Sequence, residues 1–189
     1  MPPSPLVKQE ILRSHVRRFG LRHLVETGTY LGETIAGLSG DVDHVVSIEL
    51  GEDLHRRARE RFARRRNVTL LQGDSATLLP QVAAEAPDAT LFWLDAHYSH
   101  GDNTARGAED TPVLSELATV LSRGRRGDVI LVDDARVLGQ PGWPTQGELR
   151  DFVHARDPGR TFEVADDIVR IYDGRTQGDG GAEVPGNHA

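Results

Sequence analysis

Five short apolar runs, separated by segments with helical patterning, constrain the fold of this 189-residue chain more than any other feature. Short continuous apolar strands that alternate with helices are typical of a parallel sheet whose two faces are both covered. The chain is long enough for a single domain with a full core. The predicted strands are 23–27, 44–49, 68–71, 90–94 and 129–132.

The flanking segments complete an alternating α/β arrangement. Apolar residues at helical spacing predict a first helix over 5–19, and Thr145 with Glu148 forms a capping-box pattern before the last helix. Two further strands, 161–165 and 168–173, are separated by too few residues for a parallel crossover. They must therefore pair as an antiparallel hairpin or lie adjacent.

The chain divides into three parts. Residues 1–19 form the predicted N-terminal helix, and residues 20–173 hold the alternating α/β domain. Residues 174–189 are polar and rich in glycine, so we expect a disordered tail there.

A glycine-containing turn follows the first predicted strand. Residues 26–32 have the pattern E-x-G-x-x-x-G, which lets the backbone approach a ligand where a Cβ atom would clash. Glu49 ends the next apolar run about twenty residues later, where a carboxylate can accept hydrogen bonds from a ribose diol. The turn and the acid together predict a nucleoside-binding α/β domain. The alternative is that the two glycines only form a turn.

Acidic residues stand at the ends of all five predicted parallel strands. Ligands bind at the carboxyl ends of the strands in an open parallel sheet. A single strand-end aspartate is explained equally well as a turn former or a helix cap, but a succession of five favours a binding edge. The acidic residues are Glu26, Glu49, Asp74, Asp95 and the pair Asp133 and Asp134.

Composition argues against several classes of function. The chain has no cysteine, so disulfides and thiolate chemistry do not contribute. No apolar run approaches the length of a membrane span, and the N-terminus lacks a signal-peptide core, so we expect a cytoplasmic protein without membrane contact. The net charge of −7 argues against a nucleic-acid partner. We interpret the seven arginines within 55–66 as a solvated helix face rather than a phosphate-binding patch.

This combination of strand–helix units, closing hairpin, glycine turn and acid after strand two resembles the class I S-adenosylmethionine-dependent methyltransferases over roughly residues 20–173. The resemblance implies a three-layer, Rossmann-like α/β fold. Its seven-stranded sheet would be mostly parallel, with a C-terminal antiparallel strand. The implied cofactor is S-adenosylmethionine (SAM). Nicotinamide-binding domains more usually show G-x-G-x-x-G, a glycine spacing that differs from the one present here.

The resemblance also assigns cofactor contacts. The glycine turn would surround the methionine and sulfonium end of SAM, and Glu49 would hold the ribose hydroxyls. Asp74 and Ser75 would meet the adenine edge, and Asp95 would lie at the reactive side. The implied cofactor-binding residues are Glu26, Thr27, Gly28, Thr29, Tyr30, Gly32, Glu49, Asp74, Ser75 and Asp95.

Asp95 after strand four and Asp133 with Asp134 after strand five resemble the metal ligands of O-methyltransferases of the catechol, caffeoyl-CoA and macrolide-sugar types. The resemblance implies Mg²⁺, which prefers carboxylate oxygens and would orient an acceptor hydroxyl. The alternative is that Asp133 and Asp134 only form a strand-end turn. Tyr98 stands where the catechol type has its lysine base. The candidate catalytic residues are therefore His97, Tyr98 and Asp95.

These features predict a SAM-dependent methyltransferase that acts on a hydroxyl of a small polar molecule, with Mg²⁺ assistance left open. Two alternatives remain: a metal-free transfer to nitrogen or carbon, and a non-catalytic subunit that binds the cofactor. Acceptor specificity would depend on the loops at 97–110 and 135–144. Trp143 would either stack on a substrate ring or fix the second loop to the core. A homodimer would be compatible with the family.

Overall fold

The computed structural model describes residues 2–95 and 112–174, which form one seven-stranded sheet with helices on both faces. No helix in these two ranges is long and apolar enough to cross a membrane. The predicted disordered tail lies outside the described residues, apart from Gly174. The helices are α1 (Pro5–Phe19), α2 (Glu33–Leu38), α3 (Glu52–Arg61), α4 (Ser75–Glu85), α5 (Val113–Ser122) and α6 (Gln146–Arg156). The strands are β1 (His23–Thr27), β2 (His44–Glu49), β3 (Val68–Gln72), β4 (Thr90–Leu94), β5 (Val129–Val132), β6 (Arg160–Ala165) and β7 (Ile168–Asp173).

The sheet has the strand order β3-β2-β1-β4-β5-β7-β6. The strands from β1 to β5 run parallel, whereas β7 lies antiparallel to both β5 and β6. This arrangement confirms the predicted fold class. The strand order reverses between β1 and β4, and such a switch point opens a crevice at the carboxyl ends of the two strands.

Two apolar clusters cover the two faces of the sheet. Leu12 and Val16 of α1 pack with Trp93 of β4 on one face, and Leu79 of α4 packs with Leu117 of α5 on the other. Each fully buried leucine contributes about 1.5–3 kcal/mol relative to an exposed one. Helix α1 is therefore part of the core, and not only an N-terminal segment that precedes the α/β domain.

Helix α3 ends at Arg61, because the next residue, Phe62, leaves helical geometry and is buried beside Gly32. Helix α4 continues through Pro80 without ending. Trp143 packs against the core, which favours its structural interpretation.

Candidate functional site

The turn after β1 contains three residues with left-handed backbone geometry. The φ angles of Gly28, Tyr30 and Gly32 are 81°, 48° and 75°. Glycine reaches this region without a steric penalty, whereas a residue with a Cβ atom rarely adopts it. A Cβ atom at Gly32 would also lie 2.5 Å from Cε2 of Phe62. The Gly28 amide donates to the carbonyl oxygen of Ile48 at 2.9 Å, which fixes the turn against the end of β2.

Glu26 lies in β1 beside this turn and is only 1% exposed. Its Oε2 accepts a hydrogen bond from Ser47 Oγ, which lies 2.6 Å from Thr29 Oγ1. Burial raises the pKa of Glu26 to about 7, against the opposing effect of hydrogen bonds from Ser47 and Thr34. A cationic ligand beside this carboxyl would favour its ionised form.

Glu49 is the last residue of β2, and its carboxylate links the turn after β1 to the turn after β2 by hydrogen bonds. Its Oε2 accepts a hydrogen bond from the Tyr30 amide, and its Oε1 accepts one from the Gly51 amide, both at 2.8 Å. The residue is 6% exposed. Each carboxylate oxygen can accept a second hydrogen bond. Glu49 can therefore bind a ligand diol while it holds the glycine turn.

Asp74 follows β3 and caps α4. Its Oδ1 accepts a hydrogen bond from the Ala76 amide at 2.9 Å, and the next residue, Ser75, is buried. The Gly73 amide donates to the carbonyl oxygen of Glu49 at 2.9 Å and brings the ends of β2 and β3 together. The capping interpretation is therefore confirmed at this strand end. Contacts of Asp74 and Ser75 with adenine stay a prediction.

Replacing Asp74 with alanine is expected to lower the free energy of unfolding by about 1 kcal/mol, because α4 loses its N-cap acceptor. Asp74→Asn keeps an acceptor oxygen and is expected to preserve stability. Urea denaturation of the three proteins measures this difference. An unchanged midpoint for Asp74→Ala would exclude the capping role. A loss of SAM affinity in the stable Asn variant would indicate an additional ligand contact.

The acids after β4 and β5 continue the hydrogen-bond ladder of the sheet. The Asp95 amide donates to the carbonyl oxygen of Thr27 at 3.1 Å, and the Asp133 amide donates to that of Leu94 at 3.1 Å. These bonds bring the ends of β1, β4 and β5 together. Burial, and next the negative charge of Asp133, raise the pKa of Asp95.

Two cations contact these carboxylates. Lys8 of α1 donates a hydrogen bond to Asp133 Oδ2, and its Nζ lies 3.7 Å from Asp134 Oδ1. Arg136 forms ion pairs with Asp134 and Asp167. Burial lowers the pKa of the Lys8 ammonium, but its hydrogen bond to Asp133 and the nearby carboxylates outweigh this effect and raise it. Lys8 is therefore charged at neutral pH.

Neither Lys8 nor Arg136 was predicted from the sequence as a site residue. One signal was available, since Lys8 is the only lysine in a chain with 22 lysine and arginine residues. Nothing in the local sequence around Arg136 distinguishes it from the other arginines.

The oxygens of Asp133 and Asp134 are engaged in ways that do not fit a bound Mg²⁺. Oδ1 of Asp133 accepts the Asp134 amide at 2.8 Å, and its Oδ2 accepts Lys8. Oδ1 of Asp134 accepts Arg136. Over residues 2–95 and 112–174, no group of three or more His, Asp or Glu side chains is arranged to hold a metal ion. The metal role of Asp95, Asp133 and Asp134 stays a prediction.

The structure brings most of the predicted site residues to one edge of the sheet. Two catalytic candidates, His97 and Tyr98, lie outside the described residues. The predicted residues found at this edge, on or directly after the strands, are Glu26, Thr27, Gly28, Thr29, Tyr30, Gly32, Glu49, Asp74, Ser75, Asp95, Asp133 and Asp134.

The fold is shared with solved methyltransferase structures. An O-methyltransferase from Bacillus cereus in complex with SAH matches with a TM-score of 0.65 at 20% identity, over 90% of this chain and 82% of that one. The O-methyltransferase TomG from Streptomyces achromogenes, in complex with SAM, gives 0.62 at 18% identity, over 88% and 79%. The 23S rRNA methyltransferase ErmE gives 0.54 at 15% identity, over 87% and 67%. No protein-family model and no curated protein matches the sequence.

Proposed function

We propose that this chain, which has the fold of the class I SAM-dependent methyltransferases, transfers a methyl group from SAM to a hydroxyl of a small polar molecule. One observation carries the proposal: the buried Glu49 carboxylate holds the left-handed turn after β1, at the edge where the strand order reverses between β1 and β4. Nucleoside ligands bind at such switch points. The O-methyltransferases among the structural neighbours support a hydroxyl acceptor.

The proposed cofactor contacts follow the order of the strands. Glu49 accepts hydrogen bonds from the ribose hydroxyls, and Asp74 with Ser75 meets the adenine edge. Glu26 lies toward the amino group of the methionine part, where its buried carboxyl would pair with a cation. The remaining proposed contacts come from Thr27, Gly28, Thr29, Tyr30, Gly32 and Asp95.

When bound, SAM would supply a methyl group on a positively charged sulfur, and that sulfur would keep the electrons of the carbon–sulfur bond when the acceptor oxygen takes the methyl group. The hydroxyl proton passes to a base. We propose His97 or Tyr98 as this base, and Asp95 as a group that orients the acceptor.

Metal assistance is the second form of this proposal. Asp95, Asp133 and Asp134 would supply hard oxygen ligands to Mg²⁺ once Lys8 and Arg136 had moved away from them. The ion pairs in the structure favour the metal-free form. A cytoplasmic location, a homodimer and the absence of a nucleic-acid partner also remain proposals.

Calorimetric titration with SAM and with S-adenosylhomocysteine tests the cofactor site. We expect micromolar binding of both, and the absence of binding would contradict the proposal. A mass-spectrometric assay with catechols, phenols and sugar alcohols would then detect a gain of one methyl group on the acceptor. Tight SAM binding without turnover on any acceptor, together with a co-purifying protein, would favour a non-catalytic subunit.

Adding a chelator to the active protein separates the two forms of the reaction. We expect the turnover rate to remain within about twofold in excess EDTA, because Lys8 and Arg136 already neutralise the carboxylates that a metal would need. A loss of turnover that Mg²⁺ restores would support the metal-assisted form.

A further inference from the structure

The position of Lys8 follows from the way α1 packs. Ser4 caps this helix, since its Oγ accepts the Val7 amide, and Pro5 begins the first turn. Leu12 and Val16 are buried against the sheet. Lys8 lies one turn before Leu12, on the same side of the helix, because residues four apart are neighbours along a helix face. The packed helix therefore directs Lys8 to the ends of β4 and β5.

The contacts of Lys8 are those expected of a cation held by two acids. The Asp133 and Asp134 side chains are 1% and 8% exposed, whereas that of Lys8 is 24% exposed. Buried carboxylates need a positive partner, because removing their charge from water is costly. Lys8 supplies this partner from a helix that lies 125 residues away from Asp133 in the sequence.

The type of residue also fits this role. An ammonium is a compact point charge with three donors, while a guanidinium is a planar group suited to paired hydrogen bonds. The chain uses arginine everywhere else and places its single lysine at this position. An ammonium needs less space between converging carboxylates than a guanidinium does, and in this respect it is more like a metal ion.

We propose that Lys8 is the resident cation of this edge of the sheet and takes the place of a divalent metal beside Asp133 and Asp134. The methyl transfer proposed above then runs without a metal, and this inference about the reaction rests on that proposal. The N-terminal helix thereby supplies a positioning residue to the site, in addition to packing against the core.

Manganese binding tests the proposal directly. The full chain is titrated with Mn²⁺, and free Mn²⁺ is followed by electron paramagnetic resonance, with and without SAM. Removal of a positive charge beside two carboxylates is expected to strengthen cation binding. We expect no Mn²⁺ binding to the native protein at up to about 0.1 mM Mn²⁺. The affinity of Lys8→Met for Mn²⁺ is expected to be at least about tenfold higher than that of the native protein. Adding Asp133→Asn to Lys8→Met should abolish this binding.

Two further variants serve as controls. Lys8→Arg keeps the charge and should bind no Mn²⁺, and Arg17→Met removes an exposed cation from the same helix and should behave as the native protein. Thermal melting checks that each variant is folded. Lys8→Gln replaces Lys8→Met if the latter does not fold.

Two outcomes would overturn the proposal. The first is Mn²⁺ binding to the native protein that the Lys8 substitution leaves unchanged, since a metal would then displace the ammonium. The second is the absence of binding in the uncharged variants, since the carboxylates would then not form a cation site. Calorimetry with SAM on the same samples tests the proposed function separately, because the Mn²⁺ result does not require cofactor binding.

Discussion

Alanine at position 49 is expected to weaken SAM binding by at least about 100-fold. Hydrogen bonds to a charged group contribute about 1.5–3 kcal/mol each, and 1.4 kcal/mol corresponds to a factor of ten in affinity. The substitution removes the proposed acceptor of the ribose hydroxyls. It also releases the Tyr30 and Gly51 amides, so the turn that surrounds the cofactor loses its support.

Two variants and one stability measurement serve as controls for this prediction. Glu49→Gln keeps one acceptor oxygen and should lose less affinity than Glu49→Ala. Glu52→Ala removes an exposed carboxylate from the first turn of α3 and should bind SAM as the native protein does. Calorimetry gives the affinities, and urea denaturation shows whether each variant is folded. A folded Glu49→Ala protein with native affinity would exclude Glu49 from the cofactor site.

The second large effect is a loss of stability of the ligand-free protein as the pH rises. Burial raises the pKa of Glu26 from its ordinary 4.5 to about 7, so between these values the folded state binds a proton that the unfolded state lacks. Stability from this group is fully present below pH 4.5 and is lost as the pH rises through 7. The expected loss is about 3 kcal/mol, at 1.36 kcal/mol per pH unit.

Glu26→Gln isolates this contribution, because glutamine imitates the protonated carboxyl and does not titrate. Free energies of unfolding are measured for both proteins from pH 4.5 to 8. We expect the stability of the native protein to fall relative to the variant by about 3 kcal/mol over this interval. Parallel curves would mean that Glu26 ionises at its ordinary pKa in the folded protein.

SAM binding at pH 6 provides a second readout of the same group. If the methionine ammonium pairs with Glu26, binding should release a proton that Glu26→Gln does not release. Calorimetry in buffers with different ionisation enthalpies measures this proton.

The centre of the sheet was predictable because its inner strands are buried on both faces. The apolar runs of β1, β4 and β5 follow directly from that burial, and the short connection between β6 and β7 leaves only a close antiparallel pairing. The strand-end acids were predictable as a group because the carboxyl ends of parallel strands lie at one edge of the sheet. The strand-end position alone does not establish a ligand contact, as Asp74 shows, because Asp74 caps helix α4.

The ion pairs of the site were not predictable from spacing. Lys8 meets Asp133 only because Leu12 and Val16 set the position of α1 on the sheet, and no local pattern encodes that packing. The raised pKa of Glu26 was also not predictable from the sequence, since it depends on complete burial rather than on the residues next to Glu26 in the chain. The metal hypothesis correctly placed the acids after β4 and β5 next to each other. It did not include Lys8 and Arg136, which form ion pairs with Asp133 and Asp134.

The left-handed turn after β1 affects how a ligand would bind. A residue other than glycine in this region carries strain of about 1–3 kcal/mol, and Tyr30 adopts it with φ at 48°. Glu49 and Ile48 fix the amides of this turn within the folded protein. The turn is therefore preorganised, and a ligand that binds there loses little affinity to backbone ordering. Association should then be governed by diffusion and by desolvation of the acidic edge rather than by a slow loop closure at this turn.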